Sequence, residues 1–150
     1  MRAAFLYRLA FFVEWPAAEL AHNQALTFCV LGNADSRVGQ LLSEQARERE
    51  VQGRAVQVRT LAADDELAGC HIAYAERPVA GALPAGTLLV VDSPQRLLRQ
   101  GVLALVRQPQ PGGEIRLGFV GRHDRLHGAP FQLSAKLLSL VKFESGGERS

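Results

Sequence analysis

Ala25-Leu-Thr-Phe-Cys-Val-Leu-Gly32, followed by the stretch from Ser36 to Glu50 and then by Arg54-Ala-Val-Gln-Val-Arg-Thr-Leu61, decides the architecture. The first segment is an unbroken apolar run closed by Gly-Asn, the pattern of a strand buried on both faces and its turn. In the second, Val38, Leu41, Leu42 and Ala46 fall at helical spacing, with Glu44, Arg47, Glu48 and Arg49 left for water, which predicts an amphipathic helix over 36–50. The third alternates apolar and polar residues with period two and predicts a strand with one wet face or an edge position. Strand, helix, strand implies a right-handed crossover between parallel strands.

Working outward, His71 to Ala75 and Thr87-Leu-Leu-Val-Val91 read as two more buried strands, the second closed by Asp92-Ser93-Pro94. Val102 to Val106 and Glu114 to Val120 read as strands joined by Arg-Gln-Pro-Gln-Pro-Gly-Gly, a link suited to an antiparallel hairpin. Leu133, Leu137, Leu138, Leu140 and Val141 form a last helical pattern. At the other end, Ala3 to Val13 is apolar except for Tyr7 and Arg8. It reads as a helix stopped by Trp15-Pro16, because the residue before a proline is pushed out of the helical region. The predicted fold is a Rossmann-like α/β three-layer sandwich. Its mainly parallel sheet has about six strands, with the C-terminal hairpin as a mixed edge. Residues 2–143 make one domain and 144–150 a flexible tail.

Composition narrows the function. The chain has 150 residues, 47% of them hydrophobic and 21% charged, with a net charge of only +2. Its arginines are spread along the sequence, so the concentrated basic footprint of a nucleic-acid binder is missing. The N-terminal apolar run is shorter than the roughly 20 residues a membrane span needs. Its bulky aromatics and lack of an A-x-A box do not fit a secretory signal. No direct membrane insertion is expected.

Catalytic patterns are weak throughout. Gly32-Asn-Ala-Asp-Ser-Arg-Val-Gly39 fits neither the dinucleotide nor the P-loop glycine spacing, although a helix start there could face an anion. His123-Asp-Arg-Leu-His127 imitates a zinc-protease motif with aspartate for glutamate, but Gly128 and Pro130 spoil the helix that must present both imidazoles. No metal and no cofactor are expected. Ser93 and Ser134 lack triad partners, and Asp64-Asp65-Glu66 reads as a solvated loop. Cys29 and Cys70 form no C-x-x-C pair and, on the residues alone, read as buried free thiols. Phe5, Tyr7, Phe11, Phe12 and Trp15 make the first helix apolar around most of its circumference. It then needs cover on two sides, either from its own core or from a second subunit in a homodimer.

Ala3-Ala4-Phe5-Leu6-Tyr7 and Phe12-Val13-Glu14-Trp15-Pro16 closely resemble the opening of the YfiR-like family, with Arg2 in place of the usual lysine and Leu9 in place of one aromatic. Phe28-Cys29-Val30-Leu31-Gly32, Leu67-Ala68-Gly69-Cys70-His71-Ile72 and Ser134-Ala135-Lys136-Leu137-Leu138 follow in the family's order, so the resemblance runs from about residue 2 to 141. It implies a non-enzymatic periplasmic protein in which Cys29 and Cys70 pair as a disulfide. It also implies that the protein represses an inner-membrane diguanylate cyclase by binding the cyclase's periplasmic sensor portion. A YfiB-type outer-membrane lipoprotein would relieve that repression, and cyclic-di-GMP and biofilm formation would respond. A periplasmic location implies in turn that the export signal is missing from this sequence. The chain departs from its relatives at Val120-Gly121-Arg122 and Ala129-Pro130-Phe131, and an expected second disulfide is missing. Arg116, Arg122, His123 and His127, in and beside this region, are the candidate partner or ligand surface. The rival reading is a small nucleotide- or metabolite-binding enzyme on the same sandwich, using Gly32 to Gly39 and the histidines.

Overall fold

Leu26, Phe28 and Val30 point to one face of their strand and Thr27, Cys29 and Leu31 to the other, and all six are buried, so this strand must lie inside a sheet covered on both sides. The computed structural model, which describes residues 2–16, 24–32, 37–48, 54–61, 67, 69–79, 84, 86–126 and 129–144, shows that arrangement. Helix α1 (Arg2–Leu9) passes through a 3-10 turn (Ala10–Phe12) into the short strand β1 (Val13–Glu14). Then come β2 (Leu26–Leu31), α2 (Val38–Glu48), β3 (Val56–Thr60), β4 (Ile72–Ala75), β5 (Leu88–Val91) and α3 (Pro94–Arg99). The chain continues through β6 (Leu103–Pro109), β7 (Ile115–Arg122), α4 (His123–Leu126), β8 (Gln132–Leu133), α5 (Ala135–Leu140) and β9 (Val141–Glu144).

The main sheet has seven strands in the order β3-β2-β4-β5-β6-β7-β9, against the six expected. Neighbours from β3 through β6 are parallel, β6 and β7 form the expected antiparallel hairpin, and β9 lies parallel to β7. The hairpin is therefore not the edge of the sheet. The seventh strand is the tail of the predicted last helix, which is cut at both ends. Leu133 belongs to β8, Ser134 is an extended N-cap whose Oγ accepts from Leu137 N–H, and Val141 returns to extended geometry to open β9. Glu144 closes that strand where the tail was expected to begin, and residues 145–150 lie outside the described residues.

The first helix is also shorter than expected. It leaves helical geometry after Phe12 because Val13 and Glu14 pair antiparallel with Leu133 and Gln132, and Ser134 N–H donates to Phe12 O at 2.8 Å. This clasp lays α1 on the same side of the sheet as α2 and α5. Two cores result. One joins the even-numbered residues of β2, β4 and β5 to Leu6, Leu9, Leu42 and Leu137. The other, under α3, gathers Cys29, Leu31, Ala73, Leu89 and Leu97. The layering is that of a three-layer α/β sandwich.

Two glycines fix close approaches. Gly39 sits where a Cβ would lie 3.1 Å from Thr60 Oγ1, which lets α2 settle on the sheet. A Cβ at Gly121 would lie 2.9 Å from Val141 Cγ1 and from Phe143 Cε1, so the absence of a side chain lets β9 pack against β7.

Candidate functional site

The aromatic residues of the first segment fill the core. Tyr7 is buried and stacks on Phe28 with centroids 6.0 Å apart; Phe5 meets Phe119, Phe11 meets Tyr7, and Phe12 lies under the Lys136 ammonium at 5.7 Å. Trp15 donates its indole N–H to Gly86 O at 2.8 Å and packs edge-on against the His71 ring and against Phe131. Helix α1 thus packs on this chain's own α2 as well as on the sheet, with Phe5 left half-buried.

Cys29 and Cys70 are joined by a disulfide with Cα atoms 5.9 Å apart, tying the middle of β2 to the turn that enters β4. Both are buried, so the bond staples the core under α3. Cys70 and His71 point to opposite faces. His71 is 3% exposed, and its Nδ1 accepts the Thr27 N–H at 3.0 Å while His71 N–H donates to Thr27 O at 2.9 Å. The imidazole therefore stands in for a carbonyl and extends the β2–β4 pairing past its end. An acceptor Nδ1 requires the proton on Nε2. Sequence reading passed over this role because a lone histidine among apolar neighbours carries no pattern.

The carboxyl ends of the parallel strands are where an α/β sheet usually binds its ligand. Here the protein's own guanidinium groups occupy part of that rim. Arg77 donates to Leu61 O at 2.8 Å and to Gly32 O at 3.5 Å, latching the ends of β2 and β3. Arg96 bridges Asp92 Oδ1 at 2.7 Å and Glu76 O at 2.9 Å. Asn33 to Ser36, the centre of the expected anion turn, lie outside the described residues, as do Asp64 to Glu66. Ser93 and Ser134 serve as helix N-caps. Among the described residues no group of three or more His, Cys, Asp and Glu side chains could hold a metal ion.

The four residues expected to form one partner surface do not sit together. Arg116 is exposed near the hairpin tip, with Glu114 at 3.5 Å, whereas Arg122 lies at the far end of β7, six residues and about 20 Å away at strand rise. Arg122 is also not the free surface cation that a sequence count suggests. Its side chain is 11% exposed and makes a forked pair of 3.1 Å hydrogen bonds with Asp124, holding the Asp124 carboxyl below the usual carboxylate range. The burial follows from strand alternation, since Val120 and Arg122 face the core under α3, and the exposed aspartate two residues on supplies the counter-charge. His123 opens α4, and His127 lies outside the described residues. Next to this pair Arg125 donates to Leu97 O and Gly101 O, closing α4 onto α3.

Arg116 belongs instead to a groove of about 840 Å³ between the helices α1 and α2 and the outer half of the hairpin. Ala3, Phe5, Val38, Leu41 and Leu117 form its floor, and Ile115, 64% exposed, stands at its lip. Arg37, Arg107 and Arg116 surround it, and no acidic side chain lines it among the described residues. Of its three cations only Arg116 was among the residues expected at a partner surface; Arg37 and Arg107 join it through the topology, which no local pattern reveals.

The fold and its internal bond define a three-layer α/β domain of an oxidising compartment, where structural disulfides persist. The chain belongs to the YfiR/HmsC-like family, whose model covers residues 1–142. That family is regulatory and periplasmic, and membership points to a regulator of diguanylate cyclase signalling. Comparison with curated proteins finds no match. Among the described residues no helix is long and apolar enough to cross a membrane.

Proposed function

We propose that the protein is a non-enzymatic periplasmic repressor that binds the sensor portion of an inner-membrane diguanylate cyclase and holds the cyclase inactive, until a YfiB-type outer-membrane lipoprotein relieves it. The observation that carries this reading is family membership over residues 1–142. The disulfide between Cys29 and Cys70 supports the compartment. Repression of this kind needs only a surface with higher affinity for the inactive cyclase than for the active one, because differential binding alone shifts a population. A hundredfold preference would move the balance by about 2.7 kcal/mol.

The test is co-expression of the exported protein with an inner-membrane diguanylate cyclase of the same cell. Cyclic-di-GMP should fall and biofilm formation with it. An unchanged nucleotide level in the presence of demonstrated export removes the repressor reading. We further propose that the protein works as a homodimer, for which light scattering should report twice the 16.3 kDa chain mass. A strict monomer at high micromolar concentration rules that assembly out.

A further inference from the structure

We propose that the groove between α1, α2 and the β6–β7 hairpin docks an acidic, apolar segment of a partner protein, with the partner's hydrophobic side chain on the Phe5, Leu41 and Leu117 floor and its carboxylates on the surrounding arginines. This rests on the reading that the protein acts by binding another protein, and it names the surface and the chemistry of the segment.

Three observations carry it. First, the groove pairs an apolar floor with a charged rim, which is the anatomy of a protein interface, where arginine is enriched and the rim stays polar. Second, the rim has one sign. Arg37 and Arg107 have no ion-pair partner among the described residues, and Arg116 has only a 3.5 Å contact with the exposed Glu114. A carboxylate-bearing segment meets exposed guanidinium groups there, each able to form a forked pair. Third, among the described residues every polar side chain lining the groove is an exposed arginine, and none is buried in its floor. An enclosed small-molecule site fixes its ligand with a few convergent polar groups set into an apolar wall, which this groove does not have. Ile115, exposed at the lip, gives a docked segment an apolar edge to pack on.

The hairpin backbone is already in place when the partner arrives: Arg107 lies opposite Leu117 and shares its face of a fully paired antiparallel ladder, while Arg116, opposite Gln108, alternates to the other face and meets the groove at its rim.

The experiment combines two probes with one double variant, Arg107→Glu with Arg116→Glu, and a control, Arg99→Glu, on the opposite layer. An unchanged urea midpoint establishes that each variant folds. The first probe is a synthetic peptide with Leu and Phe anchors flanked by Asp and Glu, compared with the same peptide carrying Lys at the acidic positions. The wild type should bind the acidic form at least tenfold more tightly, the double variant should reverse that order, and the control should match the wild type. The second probe is the periplasmic portion of the cyclase. Its affinity should fall at least tenfold in the double variant, with a flatter salt dependence, since rim charges act through steering. Equal affinity for the two peptides overturns the inference whatever the cyclase does. Cyclase binding undiminished in the double variant overturns it while leaving the proposed function intact. Acidic-peptide binding without cyclase binding upholds the groove chemistry and removes the proposed partner. Loss of self-association in the double variant, or tight binding of a simple aryl carboxylate that no acidic peptide displaces, assigns the groove to a second copy or a small anion and also overturns the inference.

Discussion

Removing the bond between Cys29 and Cys70 should cost about 4 kcal/mol of stability. The two cysteines are 41 residues apart. On the chain-entropy account, a closed loop of that size withholds roughly 13 cal/mol/K from the unfolded ensemble, or about 4 kcal/mol at 25 °C. For a domain of this length that corresponds to a melting point lower by about 8 to 16 °C. With a urea slope near 2 kcal/mol/M it corresponds to a midpoint lower by about 2 M. Urea unfolding of the wild type with and without reductant isolates the loop term. The Cys29→Ala, Cys70→Ala pair adds a further loss, because both sulfurs are buried and their removal leaves a cavity under α3. The reduced protein should also show a steeper slope, since its unfolded chain exposes more surface once the staple is gone. A midpoint change below about 0.5 M on verified reduction refutes the reasoning. So does reductant sensitivity that persists in the double alanine protein.

Gly121→Ala should lower stability by about 1 to 3 kcal/mol, because its methyl group meets Val141 and Phe143 of the edge strand, and calorimetry should show it. Restoration by Phe143→Leu in the same chain tests the contact. His71→Ala should cost at least about 1 to 3 kcal/mol by leaving the Thr27 N–H without its acceptor, and His71→Asn should recover part of that through its amide oxygen. If asparagine is no better than alanine in a urea titration, the acceptor role is wrong. The Arg122–Asp124 pair makes a signed statement about acid. The aspartate's folded pKa lies below its ordinary value, so its contribution is full above that value and disappears as pH falls through the folded one. The wild type should therefore lose relative stability below about pH 4, and Asp124→Asn should flatten that limb of the urea midpoint against pH.

Elements buried on both faces were the most legible in the sequence. The strands β2, β4 and β5 read as continuous apolar runs because no face of them is wet, and the hairpin read from its Pro-Gly punctuation. Helix α3 escaped because six residues are too few to show a helical period, although Ser93-Pro94 marks its start as N-cap and first-turn proline. Strand β9 escaped because Leu137 to Val141 holds helical spacing with no glycine or proline to mark the change. The disulfide followed from the resemblance alone. The expected surface at Arg122 failed because charge along a sequence does not reveal the parity that turns a β-strand residue inward, and the groove arginines share no local pattern.

The clasp between β1 and β8 bears on the order in which the molecule assembles. It joins Val13 to Leu133, and closing a loop of roughly 120 residues costs about 4 kcal/mol beyond a constant before any contact repays it. The strands β2 to β5 lie within residues 26–91 and pair with near neighbours in the chain, so that half has the lower contact order and is the natural first unit to form. Both cysteines lie inside it. Oxidation can therefore lock the early unit while α1 is still undocked, and an oxidised intermediate lacking the N-terminal helix is the species that refolding should accumulate. For that species the last and slowest step is the return of the first residues of the chain to strand partners supplied by its final third.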